Sequence, residues 1–176
     1  MAILIYVVFA MAVAVWDLST RTIPKYAVMS GFVVGLWLQV EAGQWKSCLL
    51  AVCVASVCAV TLFRAGAFGG GDAKLLIAMA ALLGLKAWMV ALAITFAAAA
   101  LMGILQALMA GKIIAMGRNF LILLKNVVPY GFVPHPQLSA KQSSALRSPF
   151  GVAAAFGIVG WVLVSRSASH GSLFQP

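Results

Sequence analysis

The chain of 176 residues contains only three acidic side chains, Asp17, Glu41 and Asp72. Asp17 ends one apolar segment and Asp72 begins another, whereas Glu41 lies in a short polar stretch where a hydrated charge is expected. A carboxylate at the edge of a bilayer is costly and usually serves a function. Two neighbouring carboxylates hold one proton between them near neutral pH, because both cannot ionise easily. The ionised group can then take a proton from water while the protonated group polarises a peptide carbonyl.

Each aspartate also has a simpler structural interpretation. Asp17 could cap the helix that follows it or pair with Arg21. Asp72 could cap its own helix or pair with Lys74. The three glycines at 69–71 favour a functional role for Asp72, because they leave the backbone open to close approach by another chain. A peptide substrate could use such an exposed backbone.

The composition requires lipid around most of the chain. Hydrophobic residues make up 64% of the sequence and charged residues 9%, whereas soluble domains carry about 25% charged residues. The formal net charge of +9 does not indicate nucleic-acid binding, because the basic residues lie between apolar runs. The cysteines lack the spacing of a zinc site. We therefore expect neither a metal nor another cofactor.

The elements that must position the aspartates are six apolar segments, which predict an all-α polytopic membrane protein with six transmembrane helices. They cover residues 2–17, 27–43, 47–63, 73–86, 88–109 and 149–165. A full span needs about 20 residues, so several of these segments are short. A single helix over 73–109 would cross the membrane more than once, and we expect a break near Gly84–Lys86.

The basic residues predict the orientation of the helices. With the N-terminus outside, only three of the 12 Lys and Arg residues face outside and the other nine face the cytoplasm, as the positive-inside rule requires. This N-out, C-out topology brings Asp17 and Asp72 to the cytoplasmic boundary, where they can meet. The stretch 110–148 becomes a long cytoplasmic connection, whose first part could lie on the membrane surface. We expect residues 1–176 to form a single membrane-embedded domain.

Three segments resemble one family of membrane proteases. Gly69-Gly70-Gly71-Asp72 matches the G-x-G-D motif of the GxGD intramembrane aspartyl proteases, and the stretch 69–75 is similar to that of the type IV prepilin peptidases. The stretch 17–24 resembles the family's first-aspartate motif, although Lys25 stands where the family usually has Asn. The stretch 148–151 resembles the Pro-Phe-Gly that opens the family's last helix.

The resemblance implies a peptidase of bacterial inner membranes that cuts the basic leader from prepilins or pseudopilins on the cytoplasmic side. Asp17 and Asp72 carry over as the catalytic pair. The short length resembles the small peptidases of Tad/Flp pilus systems, without the cytoplasmic insert of the members that also methylate. The resemblance also suggests residues that shape the site or contact substrate: Gly69, Gly71, Lys74, Pro149 and Gly151. Lys74 could act electrostatically on Asp72, but an anchor at the lipid headgroups is the favoured interpretation.

Two other functions remain open at this stage. A small transporter could use the carboxylates to bind a proton or cation, although such groups would be expected deeper in the spans. A pilus-assembly factor could keep the fold without activity. The expected partners are the prepilin substrate and the bilayer, with no nucleic acid, and the sequence leaves the oligomeric state open.

Overall fold

The computed structural model of the protein describes residues 2–20, 24–64, 68–114, 117–118 and 149–171. Within these ranges six long helices follow one another: α1 Ala2–Thr20, α2 Lys25–Glu41, α3 Trp45–Arg64, α4 Gly70–Leu83, α5 Leu85–Met109 and α6 Phe150–Gly171. The predicted all-α class is therefore confirmed. Most of the connection predicted for 110–148 lies outside the described residues.

Four of the helices, α1, α3, α5 and α6, are long and apolar enough to cross a membrane. The other two are shorter, with 17 residues in α2 and 14 in α4. At 1.5 Å per residue α4 spans about 21 Å, less than the hydrocarbon core of about 30 Å. The protein is thus a multi-pass membrane protein, whereas six complete spans and the N-out, C-out orientation stay predictions.

The short helix α4 forms the buried centre of the bundle. Leu75, Leu76 and all residues from 78 to 83 are buried. Small residues on its neighbours allow this burial, because they let helix backbones approach closely in a membrane. On α2, an added Cβ at Gly35 would lie 2.6 Å from the backbone of Leu82. On α3, a row of buried alanines packs in the same way, at positions 51, 55 and 59.

The expected break between the fourth and fifth helices is confirmed at a single residue, Gly84, which has φ +73° and ψ 171°. This conformation is essentially confined to glycine. The segment predicted as 73–86 was wrong at both ends, because α4 begins at Gly70 and Lys86 belongs to α5. The other helices start and end within three residues of their predicted segments, except that α6 extends to Gly171, beyond the predicted end at residue 165.

Side chains from α2 and α3 satisfy the backbone groups that this break leaves without helical partners. The Gln39 amide, only 5% exposed, donates to the carbonyl of Leu82 at 3.1 Å. The Ser47 hydroxyl accepts from the Leu85 N–H at 3.3 Å. Because unpaired backbone groups are costly away from water, these contacts make the break tolerable inside the bundle.

The helices pack as two groups of three. α2 and α3 pack on α4, whereas α1 and α5 pack on α6, and the packing between the groups is less extensive. Asp17 lies on α1 and Asp72 on α4, so the two aspartates belong to different groups. Any site that uses both must lie where the groups meet.

Candidate active site

Asp17 lies three residues before the end of α1 and is only 6% exposed. Its Oδ2 accepts a hydrogen bond of 2.7 Å from the backbone N–H of Gly151, the second residue of α6. The first N–H groups of a helix have no partner within it, and Pro149, which precedes α6, has no side-chain acceptor. A buried carboxylate on α1 therefore caps a helix that lies 134 residues away in the sequence.

The alternative in which Asp17 caps the helix that follows it is wrong. The N-cap of α2 is Pro24, and the hydrogen bond of the Asp17 carboxylate is made with Gly151 at the start of α6. The other simple interpretation, an ion pair with Arg21, falls on a residue outside the described ranges.

Gly151 leaves no room for a side chain beside Asp17. A Cβ added at Gly151 would lie 2.8 Å from the Cβ of Asp17 and 2.9 Å from its Oδ2. Real Cβ contacts are longer than this, so any other residue would displace the carboxylate or the helix. The glycine is what allows the α6 backbone to touch the Asp17 side chain.

Asp72 is the third residue of α4 and is half-buried. Its Oδ2 accepts a hydrogen bond of 3.1 Å from the N–H of Gly69, the N-cap residue of the same helix. A carboxylate in the first turn is also favoured by the helix dipole. The interpretation in which Asp72 caps its own helix is thus confirmed, from the third helical position rather than the N-cap.

The glycines before Asp72 provide space. Gly69 has φ −75°, which any residue can adopt, but a Cβ there would lie 3.2 Å from the Asp72 carboxylate. Gly69 and Gly70 are exposed, whereas Gly71 is half-buried within the first turn. The backbone on the N-terminal side of Asp72 is therefore open to a neighbouring chain.

Two phenylalanines join the segments that carry the aspartates. Phe68, next to Gly69, packs against Phe150, next to Gly151, with ring centroids 4.7 Å apart. Asp17 contacts Gly151 directly, and Gly69 contacts Asp72. The end of α1 and the starts of α4 and α6 therefore lie at the same end of the bundle, and both carboxylates lie there with them.

The other two residues that were predicted to shape the site are Lys74 and Pro149. Lys74 is exposed and lies two residues after Asp72, a spacing that puts the side chains on different faces of a helix. Pro149 precedes α6, and its carbonyl accepts from the N–H of Ala153 at 3.4 Å. Among the residues that the structure describes, no three His, Cys, Asp or Glu side chains gather in a way that could hold a metal ion.

Sequence reasoning assigned no role to Phe68 or Phe150. Each phenylalanine directly precedes a glycine that lies beside an aspartate in the structure. The pair Phe-Gly also occurs at Phe156-Gly157, so the pair alone does not mark the site in a chain so rich in apolar residues.

An apolar cleft of about 330 Å³ opens between α1 and α2, with Leu82 of α4 also in its lining. On α1 the lining includes Ile5, Phe9 and Val13. Leu4, Val8 and Ala12 line the cleft as well, so its face of α1 lies between these two rows. Asp17 lies off that face and contacts Gly151 of α6. Neither aspartate lines the cleft.

Comparison with known proteins identifies the family. The type IV leader peptidase family matches residues 4–104, a region that contains both Asp17 and Asp72 but not the start of α6. Comparisons with curated proteins and with solved structures gave no match. Because the family match covers more than half of the 176 residues, the chain belongs to the type IV leader peptidase family.

Proposed function

We propose that the protein is an intramembrane aspartyl endopeptidase that removes the leader peptide of type IV, Flp-like prepilins or pseudopilins at the cytoplasmic face of the bacterial inner membrane. Asp17 and Asp72 are its catalytic residues in this proposal. One observation carries it: two of only three acidic side chains come from distant segments to one end of the helical bundle. Membership of a leader peptidase family supports the same reaction.

The proposed reaction needs only the two carboxyl groups and water. The ionised carboxylate takes a proton from water, the resulting oxygen attacks the peptide carbonyl carbon, and the protonated carboxyl gives its proton to the carbonyl oxygen. The tetrahedral diol then returns one hydroxyl proton to the ionised group, while the other carboxyl protonates the leaving nitrogen and the C–N bond breaks. The pair ends with one shared proton, as it began.

The apolar cleft and the open glycine backbone support a substrate with an apolar helix. A prepilin would lie with that helix in the bilayer and its basic leader in the cytoplasm. The cleft between α1 and α2 provides apolar contacts on α1, the helix whose last turn carries Asp17. The exposed Gly69 and Gly70 leave room for an extended peptide beside Asp72.

A cleavage assay with three matched variants tests this proposal. The chain is co-expressed with a candidate prepilin from the same genome in cells that lack their own prepilin peptidase, and processing is followed on a gel. Asp17→Asn and Asp72→Asn keep the side-chain size but cannot exchange a proton, so each should slow cleavage by at least about 100-fold. Glu41→Gln changes the third acidic residue, which is exposed at the end of α2, and should leave cleavage unchanged.

Membrane fractionation must show that all variants insert to the level of the wild type. If Asp17→Asn and Asp72→Asn process the precursor as fast as the wild type, the aspartyl-protease mechanism is wrong. A transporter would instead lose flux in these variants. An inactive assembly factor would support pilus assembly with Asp17→Asn while the wild type cleaves nothing.

A further inference from the structure

We infer that the first two residues of α6, Phe150 and Gly151, are positioning residues that set the placement of the two carboxylates relative to each other. The kinetic part of this inference rests on the proposed function. Phe150 and Gly151 lie outside the region matched by the family, residues 4–104, and they contact the two aspartate-bearing segments in different ways.

Gly151 acts on Asp17 through its backbone. The N–H direction is fixed by the first turn of α6, and it donates to Asp17 Oδ2 at 2.7 Å. The Asp17 carboxylate can rotate about the bonds of its short side chain, and this buried hydrogen bond selects one orientation. The missing Cβ is essential, because an added one would approach Oδ2 to 2.9 Å.

Phe150 acts on the segment of Asp72 through its ring. It is 9% exposed, and its ring packs against Phe68 at 4.7 Å between centroids. Phe68 is followed by Gly69, whose N–H donates to Asp72. A shift of the Phe150 ring therefore moves the start of α4 and its carboxylate.

Two adjacent residues thus connect the two helix groups at the site. Asp17 and α6 belong to one group and Asp72 to the other, and the packing between the groups is less extensive than within them. Catalysis by a carboxylate pair depends on their separation, and misplacement by about 1 Å can cost on the order of 100-fold in rate. We expect Phe150→Leu and Gly151→Ala to lower kcat by about 10- to 100-fold with KM within threefold, because neither residue lines the apolar cleft.

Each variant has a control that disturbs the same helix away from the site. Tyr6 is also 9% exposed, and its ring contacts Trp161 of α6 at 5.7 Å, so Tyr6→Leu removes a similar aromatic contact with α6. Gly160→Ala places a Cβ 3.1 Å from Ile94, which crowds the packing of α6 on α5. Both controls should keep kcat within threefold of the wild-type value, even where they lower Tm as much as Phe150→Leu and Gly151→Ala do.

A second measurement does not depend on activity. Amide hydrogen exchange of residues 150–153 is followed in the purified full-length protein, for the wild type, Asp17→Ala and Glu41→Ala. Exchange at Gly151 should accelerate at least tenfold in Asp17→Ala and stay unchanged in Glu41→Ala. An unchanged rate in Asp17→Ala overturns the inference, whether or not the protein proves to be a protease.

The kinetic outcome separates positioning from general damage. If the controls lose as much kcat as Phe150→Leu and Gly151→Ala at equal thermal stability, the residues are merely structural and the inference is overturned. If the Asp17→Asn and Asp72→Asn variants cleave as fast as the wild type, the proposed function fails instead. The exchange measurement alone then decides whether Gly151 holds Asp17.

Discussion

The residue that separates α4 from α5 allows a sharp test of the fold, through the variant Gly84→Ala. Gly84 has φ +73° and ψ 171°, and a Cβ there would lie 3.2 Å from Nε2 of Gln39 and 3.3 Å from its Oε1. The same Gln39 amide donates to the carbonyl of Leu82. The substitution therefore strains the backbone and also crowds the side chain that stabilises the break.

The two effects can be estimated separately. A non-glycine residue in this backbone region costs about 1–3 kcal/mol. Weakening one buried hydrogen bond in a membrane protein costs about 0.6 kcal/mol on average and up to about 1.7. The sum, about 2–5 kcal/mol, should lower Tm by about 4–20 °C in a chain of this size. Thermal unfolding of the purified protein in detergent micelles provides the measurement.

Two further glycines provide matched controls for Gly84→Ala. Gly43 also has a positive φ, +67°, but nothing within 4 Å of an added Cβ, so Gly43→Ala measures the cost of a positive φ without crowding a side chain. Gly103 lies within α5 and also has open space, so Gly103→Ala should keep or slightly raise Tm. The reasoning fails if Gly84→Ala unfolds within 2 °C of the wild type, or if Gly43→Ala is equally destabilised.

Three other substitutions probe the packing that positions the site, with Tm measured in the same way. Gly35→Val should lower the free energy of unfolding by at least about 1–3 kcal/mol, because α2 lies directly on the backbone of Leu82; unchanged stability would contradict this close contact. Trp88→Phe removes the hydrogen bond from Nε1 to the Leu76 carbonyl, 3.3 Å long, and should cost about 1 kcal/mol. Gly157→Ala should separate α6 from α5, since its Cβ would meet the Ala91 carbonyl at the α5 backbone; a Tm equal to that of Gly103→Ala would refute this.

The identity of the two carboxylates could be predicted from the sequence because acidic residues are so scarce. In a chain with three of them, the two that border apolar segments stand out, and the glycines before Asp72 strengthen the case. The partner of Asp17 could not be predicted from the residues. It is a backbone N–H, a group that almost every residue carries, and it lies 134 residues away. The resemblance pointed to Gly151, but not to this contact.

The start of α4 shows a second limit of sequence reasoning. The predicted segment was an apolar run and therefore began at residue 73, after Asp72, and glycine is among the weakest helix formers. In the structure the helix begins at Gly70, because the Asp72 carboxylate accepts a hydrogen bond from the Gly69 N–H at the N-cap and because the rest of α4 gains stability from burial. Tertiary contacts therefore outweigh local propensity in the turn that carries the carboxylate.

The two ends of α4 are held by different kinds of contact, and this difference bears on how the site can adjust. Near Gly84, a hydrogen bond from Gln39 holds the end of α4 within its own helix group, and a hydrogen bond from Leu85 to Ser47 joins α5 to α3 across the two groups. At the start of α4, the ring contact between Phe68 and Phe150 crosses to the other group. Hydrogen bonds weaken steeply when distance or angle changes, and aromatic pairs also prefer particular ring arrangements and separations. Relative movement of the two groups would therefore disturb the Phe68–Phe150 contact, at the end of the bundle where the separation of the carboxylates matters.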